Sequence, residues 1–437
     1  MKKISALFIT ILFCLSCITS VDAEKTEEKT LEIASKHAIL VQAGTGRILY
    51  EKDADAKAYP ASTTKIMTAL LAIENLDPNA QLTASETAVQ IDRDGSNMGI
   101  LRDEVLTVEQ LLYGLLVHSA NDAANVLAEA VAGDISAFVD KMNVRAAELG
   151  MTNTHFVNTH GYHDDEHYTT ARDLLTLSMH AMENELFRKI VGTAQYEIPP
   201  TNRYDEVRYL TNNNALINPM KGHRYLYSAA AGIKTGHTQK AGFCLTSYAE
   251  KDGRAFYCVT LGAPTDTAET HSFLDTIALF EHGFKDYTLQ NISDVNEIIA
   301  THDVRHAKGG EQAVLSAAAP LEVLLPKGYD SALITKEIYV EENIAAPVKK
   351  GDILGRASYY YDGESLGSVD LVAAKPVARS FVRMIFNTLF NLIFNVWVMT
   401  PLTIIVIILV LRSMHESKKR RIARERRRQQ VRRDFYR

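Results

Sequence analysis

Three short segments of this sequence carry side chains suited to acyl chemistry. Ser62-Thr63-Thr64-Lys65 places a hydroxyl and an amine three residues apart, positions that share one helical face. A serine becomes a nucleophile when a base lies within hydrogen-bond reach, and Lys65 is the candidate base. Lysine is a base only when uncharged; burial in an apolar helix and the like charge of Lys234 both lower its pKa. Ser62 in a first turn also meets the positive end of the helix dipole, which favours developing negative charge. Ser119-Ala120-Asn121 adds a hydroxyl that can relay a proton between Lys65 or Lys234 and a leaving amine, and an amide that can hold a substrate backbone. Lys234-Thr235-Gly236 adds a cation and a hydroxyl for a terminal carboxylate. Gly236 lets an extended substrate lie close against a strand edge. The backbone N–H groups of Ser62 and His237 would form an oxyanion hole.

Taken singly, each segment has a plainer explanation: a helix cap with a solvated lysine, an N-cap, a turn. The elements around them give the combination its force. Residues 62–75 read as a buried helix, with Ile66, Met67, Ala69, Leu70 and Ile73 apolar almost all round. Thr107 to Leu116 reads as a helix with a capping box from Thr107 and Gln110. Asp122–Val131 and Ile135–Leu149 follow as helices, the first capped by the Ser119 segment; Thr169 opens another, Thr170–Ala181. His37–Tyr50 reads as a hairpin about Ala43-Gly44-Thr45-Gly46. Ala241–Tyr248 and Arg254–Leu261 read as a second hairpin, which the Lys-Thr-Gly segment precedes, and Thr270–Phe284 as a closing helix. Strands at both ends of a helical middle predict an α+β body with one antiparallel sheet. From residue 291 to 378, short alternating runs predict a small β-rich domain: Leu321–Leu325, Lys336–Val340, Ile353–Tyr360 and Ser368–Val372, with a hairpin turn at Asp362-Gly363.

The chain's 437 residues suggest more than one domain, and their charge is unevenly spread. Residues 412–437 carry 12 basic and 3 acidic side chains; with +1 in residues 1–23, the overall −6 leaves −16 for residues 24–411. So acidic a body excludes a general nucleic-acid binder. Residues 1–23 read as a secretory signal: Lys2 and Lys3, an apolar run from Ile4 to Cys17, and a cleavage site after Ala23. Lipid attachment at Cys17 is the lesser alternative. Met384 to Leu411 is 28 residues without a charge, enough for a membrane anchor. The basic tail after it predicts a cytoplasmic end, with the body outside. Asn387, Asn391 and Asn395 lie at four-residue spacing, so the first turns can rest in the interface. Cys244 and Cys258 sit on opposite faces of the second hairpin if Lys251 pairs with Arg254, which predicts two free thiols. The run His163-Asp164-Asp165-Glu166-His167 has suitable metal ligands, but a continuous five-residue loop rarely closes a coordination shell. Neither a metal nor a cofactor is expected.

In their order and setting the three segments resemble those of the serine β-lactamases and penicillin-binding proteins. Over residues 31–375 the chain resembles the low-molecular-mass penicillin-binding proteins of the D-Ala-D-Ala carboxypeptidase type. The likeness is carried by Tyr59-Pro60-Ala61-Ser62-Thr63-Thr64-Lys65, by the segment from Leu112 to Ala124, and by Gly232-Ile233-Lys234-Thr235-Gly236-His237-Thr238. Residues 152–158, 169–173, 346–351 and 371–374 add to it. The resemblance implies a β-lactamase/transpeptidase-like catalytic domain over 31–290 and a family-like β-rich domain over 291–378; the anchor over 384–411 and the tail over 412–437 rest on the apolar run and the basic cluster. It implies removal of the terminal D-alanine from peptidoglycan stem pentapeptides through an acyl-serine, with catalytic Ser62, Lys65 and Ser119. Substrate binding would fall to Asn121, Lys234, Thr235, Gly236 and His237. The implied partners are peptidoglycan stem peptides, β-lactam antibiotics and the membrane. Where many relatives have an Arg in an Asn-Arg-Asn stretch, this chain has Thr211-Asn212-Asn213-Asn214, which bears on carboxylate affinity and on exo- against endopeptidase cleavage. A β-lactamase of the same fold is the nearest alternative, but residues 150–165 contain no Glu to serve as deacylation base. A silent wall-binding scaffold is another, though it would need none of Ser62, Lys65, Ser119 and Lys234.

Overall fold

The computed structural model describes residues 31–435 except 93, 266, 267, 296, 394 and 395, so the expected signal at 1–23 lies outside the described residues. By internal contacts the chain divides into two units, one ending at Tyr287 and the other beginning at Thr288.

In the first unit the strands are β1 (His37–Gln42), β2 (Ile48–Lys52), β3 (Gln81–Thr83), β4 (Val105–Thr107), β5 (Gln195–Ile198), β6 (Arg208–Thr211), β7 (Ala230–Thr238), β8 (Gly242–Lys251) and β9 (Arg254–Ala263). The helices are α1 (Lys65–Asn75), α2 (Val108–Leu116), α3 (Asn121–Ala132), α4 (Ile135–Glu148), α5 (Ala171–Ala181), α6 (Glu185–Val191) and α7 (His271–Lys285). The main sheet runs β2-β1-β9-β8-β7 and is antiparallel, leaving β7 on an edge. Helix α7 packs on β8 and β9, while α1, α2, α3, α5 and α6 share the large core that also takes in Ile233, Cys244 and Val259 of the sheet. Lys251 pairs with Arg254 and Ser247 with Cys258, and both cysteines are buried free thiols.

Several local expectations change. The Lys-Thr-Gly segment precedes the β8–β9 hairpin as expected, but it lies in a strand of its own, β7, paired to β8. Ala229-Ala230-Ala231-Gly232 has little β propensity, and tertiary pairing with β8 overrides it. Ser119 does not cap α3: the N-cap is Ala120, and Ser119 takes a left-handed φ of 65°. Thr170, not Thr169, caps α5, its side chain accepting from the Asp173 N–H. The Thr107–Gln110 capping box forms on α2.

In the second unit, β11 (Ile298–Asp303), β12 (Gln312–Ala317), β14 (Ile334–Val340), β15 (Ile353–Tyr361) and β16 (Glu364–Ala373) form a sheet ordered β11-β12-β16-β15-β14. β10 (Tyr287–Ser293) and β13 (Leu321–Pro326) pair separately. Asp362 and Gly363, at φ 46° and 83°, make the β15–β16 turn. Its core is apolar, with Leu315, Leu325 and Leu371 fully buried. Two helices follow, α8 (Phe381–Ile393) and α9 (Val396–Phe435). The uncharged run is thus shared between two helices, and α9 continues through the basic tail. Arg, Lys, Glu, Ala and Gln favour helix there, and Glu416–Arg420 and Arg421–Glu425 pair at i, i+4. Among the described residues, α9 contains the one stretch long and apolar enough to cross a bilayer.

Candidate active site

The structure brings all three segments to one place between α1, α3 and the edge strand β7. Ser62 sits in a 3-10 turn, Ala61–Thr64, that runs directly into α1, so Lys65 opens the α-helix rather than Ser62. Side chains fix this turn: Thr63 Oγ1 donates to the Pro60 carbonyl at 2.7 Å and Thr64 Oγ1 to the Ala61 carbonyl at 2.8 Å. Ala61 is held at a φ of 47°, a strained value for a residue with a Cβ.

Lys65 is fully buried. Its Nζ lies 3.0 Å from Ser62 Oγ and donates to the His160 carbonyl at 2.8 Å. Burial foremost, and then the charge of Lys234, hold its pKa well below the ordinary lysine value. Lys234 Nζ donates to Ser119 Oγ at 3.0 Å and to the Thr235 carbonyl at 2.9 Å, and burial lowers its pKa to about 7. The two hydroxyls therefore each touch a lysine whose burial favours the uncharged form. An amine bonded to a carbonyl through one hydrogen keeps its lone pair free for the serine proton.

The second segment is built as a hinge of backbone contacts. The Asn121 N–H donates to the Ser96 carbonyl at 2.8 Å. The Asp122 carboxylate accepts from the N–H groups of Met98, Ile100 and Ala123. These bonds fix the loop before residue 100 against α3. A Cβ on Gly95 would lie 2.7 Å from Asn121 Nδ2, so glycine leaves the amide room to face the cleft.

Gly236 sets the approach of β7. A Cβ there would stand 2.9 Å from the Pro60 carbonyl oxygen and 3.0 Å from the Ser62 nitrogen. Only glycine lets the strand edge close on the turn that carries Ser62. Two adjoining clefts of about 400 and 360 Å³ meet at Ser62, Asp94, Ser96 and His237. Asn121 lines the first, and Ser119, Thr235, Gly236 and Asn213 line the second. Asn213 donates to the His118 carbonyl at 3.3 Å.

The segment 158–161 is a contributor that motif reasoning missed. Asn158 Oδ1 accepts from the Gly161 N–H at 2.7 Å, which folds the His160 carbonyl toward Lys65. Gly161 has a φ of 86°, and a Cβ there would sit 1.8 Å from the Ala61 carbonyl oxygen. Thr68 Oγ1 donates to the Thr159 carbonyl, and Thr159 Oγ1 to Asn125, which ties this segment to α1 and α3. The spacing Asn158-x-x-Gly161 is the one local mark of this turn.

His167 does not serve as an open ligand. Its Nδ1 accepts from the Val157 N–H at 3.2 Å and its Nε2 lies 2.8 Å from Thr64 Oγ1, so the neutral ring carries its proton on Nε2. Burial pushes the His167 pKa down to about 3. Among the described residues no group of three or more His, Cys, Asp or Glu is placed to hold a metal ion.

Comparison with known proteins is consistent across sequence and structure. Residues 23–265 match the family model described as D-alanyl-D-alanine carboxypeptidase, and residues 287–379 match that of the penicillin-binding protein 5 C-terminal domain. The D-alanyl-D-alanine carboxypeptidase DacF of Bacillus subtilis is 31% identical over 398 residues, covering 89% of this chain and 98% of that one. Among solved structures, penicillin binding protein 5 from Haemophilus influenzae has a TM-score of 0.64 at 25% identity, over 80% of this chain and 99% of its own. The DD-transpeptidase of Streptomyces K15 has a TM-score of 0.53 at 31% identity, over 58% of this chain and 98% of its own.

Proposed function

The chain belongs to the D-alanyl-D-alanine carboxypeptidase family, and we propose that Ser62 is the nucleophile with which it carries out that family's reaction. It is a serine-type D-Ala-D-Ala carboxypeptidase of the low-molecular-mass penicillin-binding group. The observation that carries the assignment of residues is the 3.0 Å approach of Lys65 Nζ to Ser62 Oγ, with the amine buried and its pKa depressed.

Neutral Lys65 takes the Ser62 proton as Oγ attacks the carbonyl carbon of the penultimate D-alanine. The oxyanion is met by the backbone N–H groups of Ser62 and His237. The C–N bond breaks, and Ser119 passes a proton from the lysine pair to the departing amine. Water then attacks the acyl-Ser62 ester, with Lys65 again as base. Lys234 and Thr235 receive the terminal carboxylate, and Asn121 holds the backbone of the acyl side. A β-lactam amide enters by the same route and stays as the ester. D-alanine release from an acyl-D-Ala-D-Ala peptide by the purified protein, blocked by prior penicillin, is the expected result; release that penicillin leaves untouched would refute it.

The organisation into a catalytic domain over 31–290, a β-rich domain over 291–378, an anchor over 384–411 and a tail over 412–437 is part of the same proposal. The apolar part of α9 fits membrane association. Its basic continuation supports a single span with the tail inside and the catalytic domain outside. A tag after Arg437 should resist protease in intact cells and yield once the membrane is opened; digestion in intact cells would reverse the topology.

A further inference from the structure

The cleft beside Ser62 displays two charges that the reaction leaves unused. Asp94 and Lys240 both line it. Both are exposed, and neither forms an ion pair with another described residue. Asp94 accepts one side-chain hydrogen bond, from the Tyr162 hydroxyl at 3.1 Å, which braces the carboxylate without neutralising it. Opposite charges that share a cleft of about 400 Å³ and do not pair with each other leave room for a ligand bearing both.

Strand addition fixes which part of the substrate reaches them. With its carboxylate at Lys234 and Thr235, a substrate laid antiparallel on β7 sends its acyl side past His237 and Thr238. That direction ends at the turn between β7 and β8, which carries Lys240. Asp94 lines the cleft that holds Lys240, at its junction with the second cleft beside Ser62, from the loop held to α3 by the Asn121–Ser96 bond.

We propose that this acyl-side subsite recognises a zwitterionic side-chain end on the residue preceding D-Ala-D-Ala, its ammonium at Asp94 and its carboxylate at Lys240. A meso-diaminopimelate residue has that chemistry; a lysine residue supplies the ammonium alone. The inference rests on the carboxypeptidase reading and names the stem peptide that site prefers.

The test uses the full-length protein in detergent and three peptides that differ only in that residue: meso-diaminopimelate, L-lysine and Nε-acetyl-L-lysine. D-alanine release gives kcat/KM for each. Solvent-exposed ion pairs contribute modestly, so each charge should raise kcat/KM by roughly 2–5-fold at low salt, less at high salt. Asp94→Asn should erase the advantage of lysine over acetyl-lysine. Lys240→Gln should erase the advantage of diaminopimelate over lysine and keep that of lysine over acetyl-lysine. Labelling by fluorescent penicillin verifies that each variant has a folded site. Equal kcat/KM for the three peptides, or advantages that survive both substitutions, would overturn the subsite while the carboxypeptidase reading stands. Absence of D-alanine release from every peptide would overturn that reading and the subsite with it.

Discussion

Up to Tyr287 the interior holds Lys65, Lys234, Asp122, Glu104 and Arg208 beside its apolar core; from Thr288 onward the buried polar side chains among the described residues are Ser293 and Ser316. Within the first unit two arrangements of buried charge contrast. Glu104 is met by both Arg208 nitrogens, at 3.1 and 3.3 Å, by Thr201 Oγ1 and by the Leu101 N–H. That is a satisfied ion pair, and it ties β6 to the loop before β4. Among the described residues no carboxylate is bonded to Lys65 or Lys234, and burial is relieved by lowering their pKa instead. A buried charge that is paired builds structure; a buried amine kept neutral is available for proton transfer. The second unit has neither, which makes it the control region for the first.

The contrast is broken most severely at Lys65. Lys65→Arg keeps the charge but cannot deprotonate near neutral pH, so penicillin acylation should fall by at least ~10²-fold, measured by stopped-flow or gel labelling. Gly236→Ala comes next. Its Cβ presses on the Pro60 carbonyl and the Ser62 nitrogen, and a displacement of about 1 Å at a reacting group costs up to ~10²-fold in rate. Acylation should drop on the order of 10-fold or more, with the melting temperature less affected than the rate.

A smaller effect follows from pH. With its pKa lowered to about 7, Lys234 is charged below that value and neutral above it. Attraction for the substrate carboxylate is therefore present at lower pH and lost as pH rises, so KM should climb above neutrality. Lys65 works in the opposite sense: as pH falls it gains its proton, and the acylation rate declines on the acid side. A KM that stays flat through neutrality would remove Lys234 from carboxylate binding. The smallest effect on chemistry belongs to the second unit. Leu371→Ala should cost that unit about 2–5 kcal/mol of stability, read by thermal melting, with the penicillin acylation rate of the folded protein unchanged.

Much of the site was legible because its parts are local. Ser62 and Lys65 are three apart, the Thr107–Gln110 box marks α2, and Asp362-Gly363 marks a hairpin. What was hidden depends on chain distant in sequence. The His160 carbonyl reaches Lys65 across 95 positions, and the Asn158-x-x-Gly161 spacing that folds it there says nothing of Lys65. The left-handed Ser119 looked like an N-cap because serine favours caps; its hydroxyl instead meets Lys234. β7 was obscured by its run of alanines, and β10 and β11 by polar residues such as Gln290, Asn291, Thr301 and His302, which blur the alternation there. The charges at Asp94 and Lys240 lie in loops, where neither periodicity nor a motif sets them apart.

The account stands most directly on the identity of the acylated atom. Full-length protein incubated with penicillin, digested and mapped by mass spectrometry should carry a single penicilloyl adduct on the peptide containing Ser62, and Ser62→Ala should carry none while melting as the native protein does. An adduct on another residue, or labelling that persists in Ser62→Ala, would contradict it.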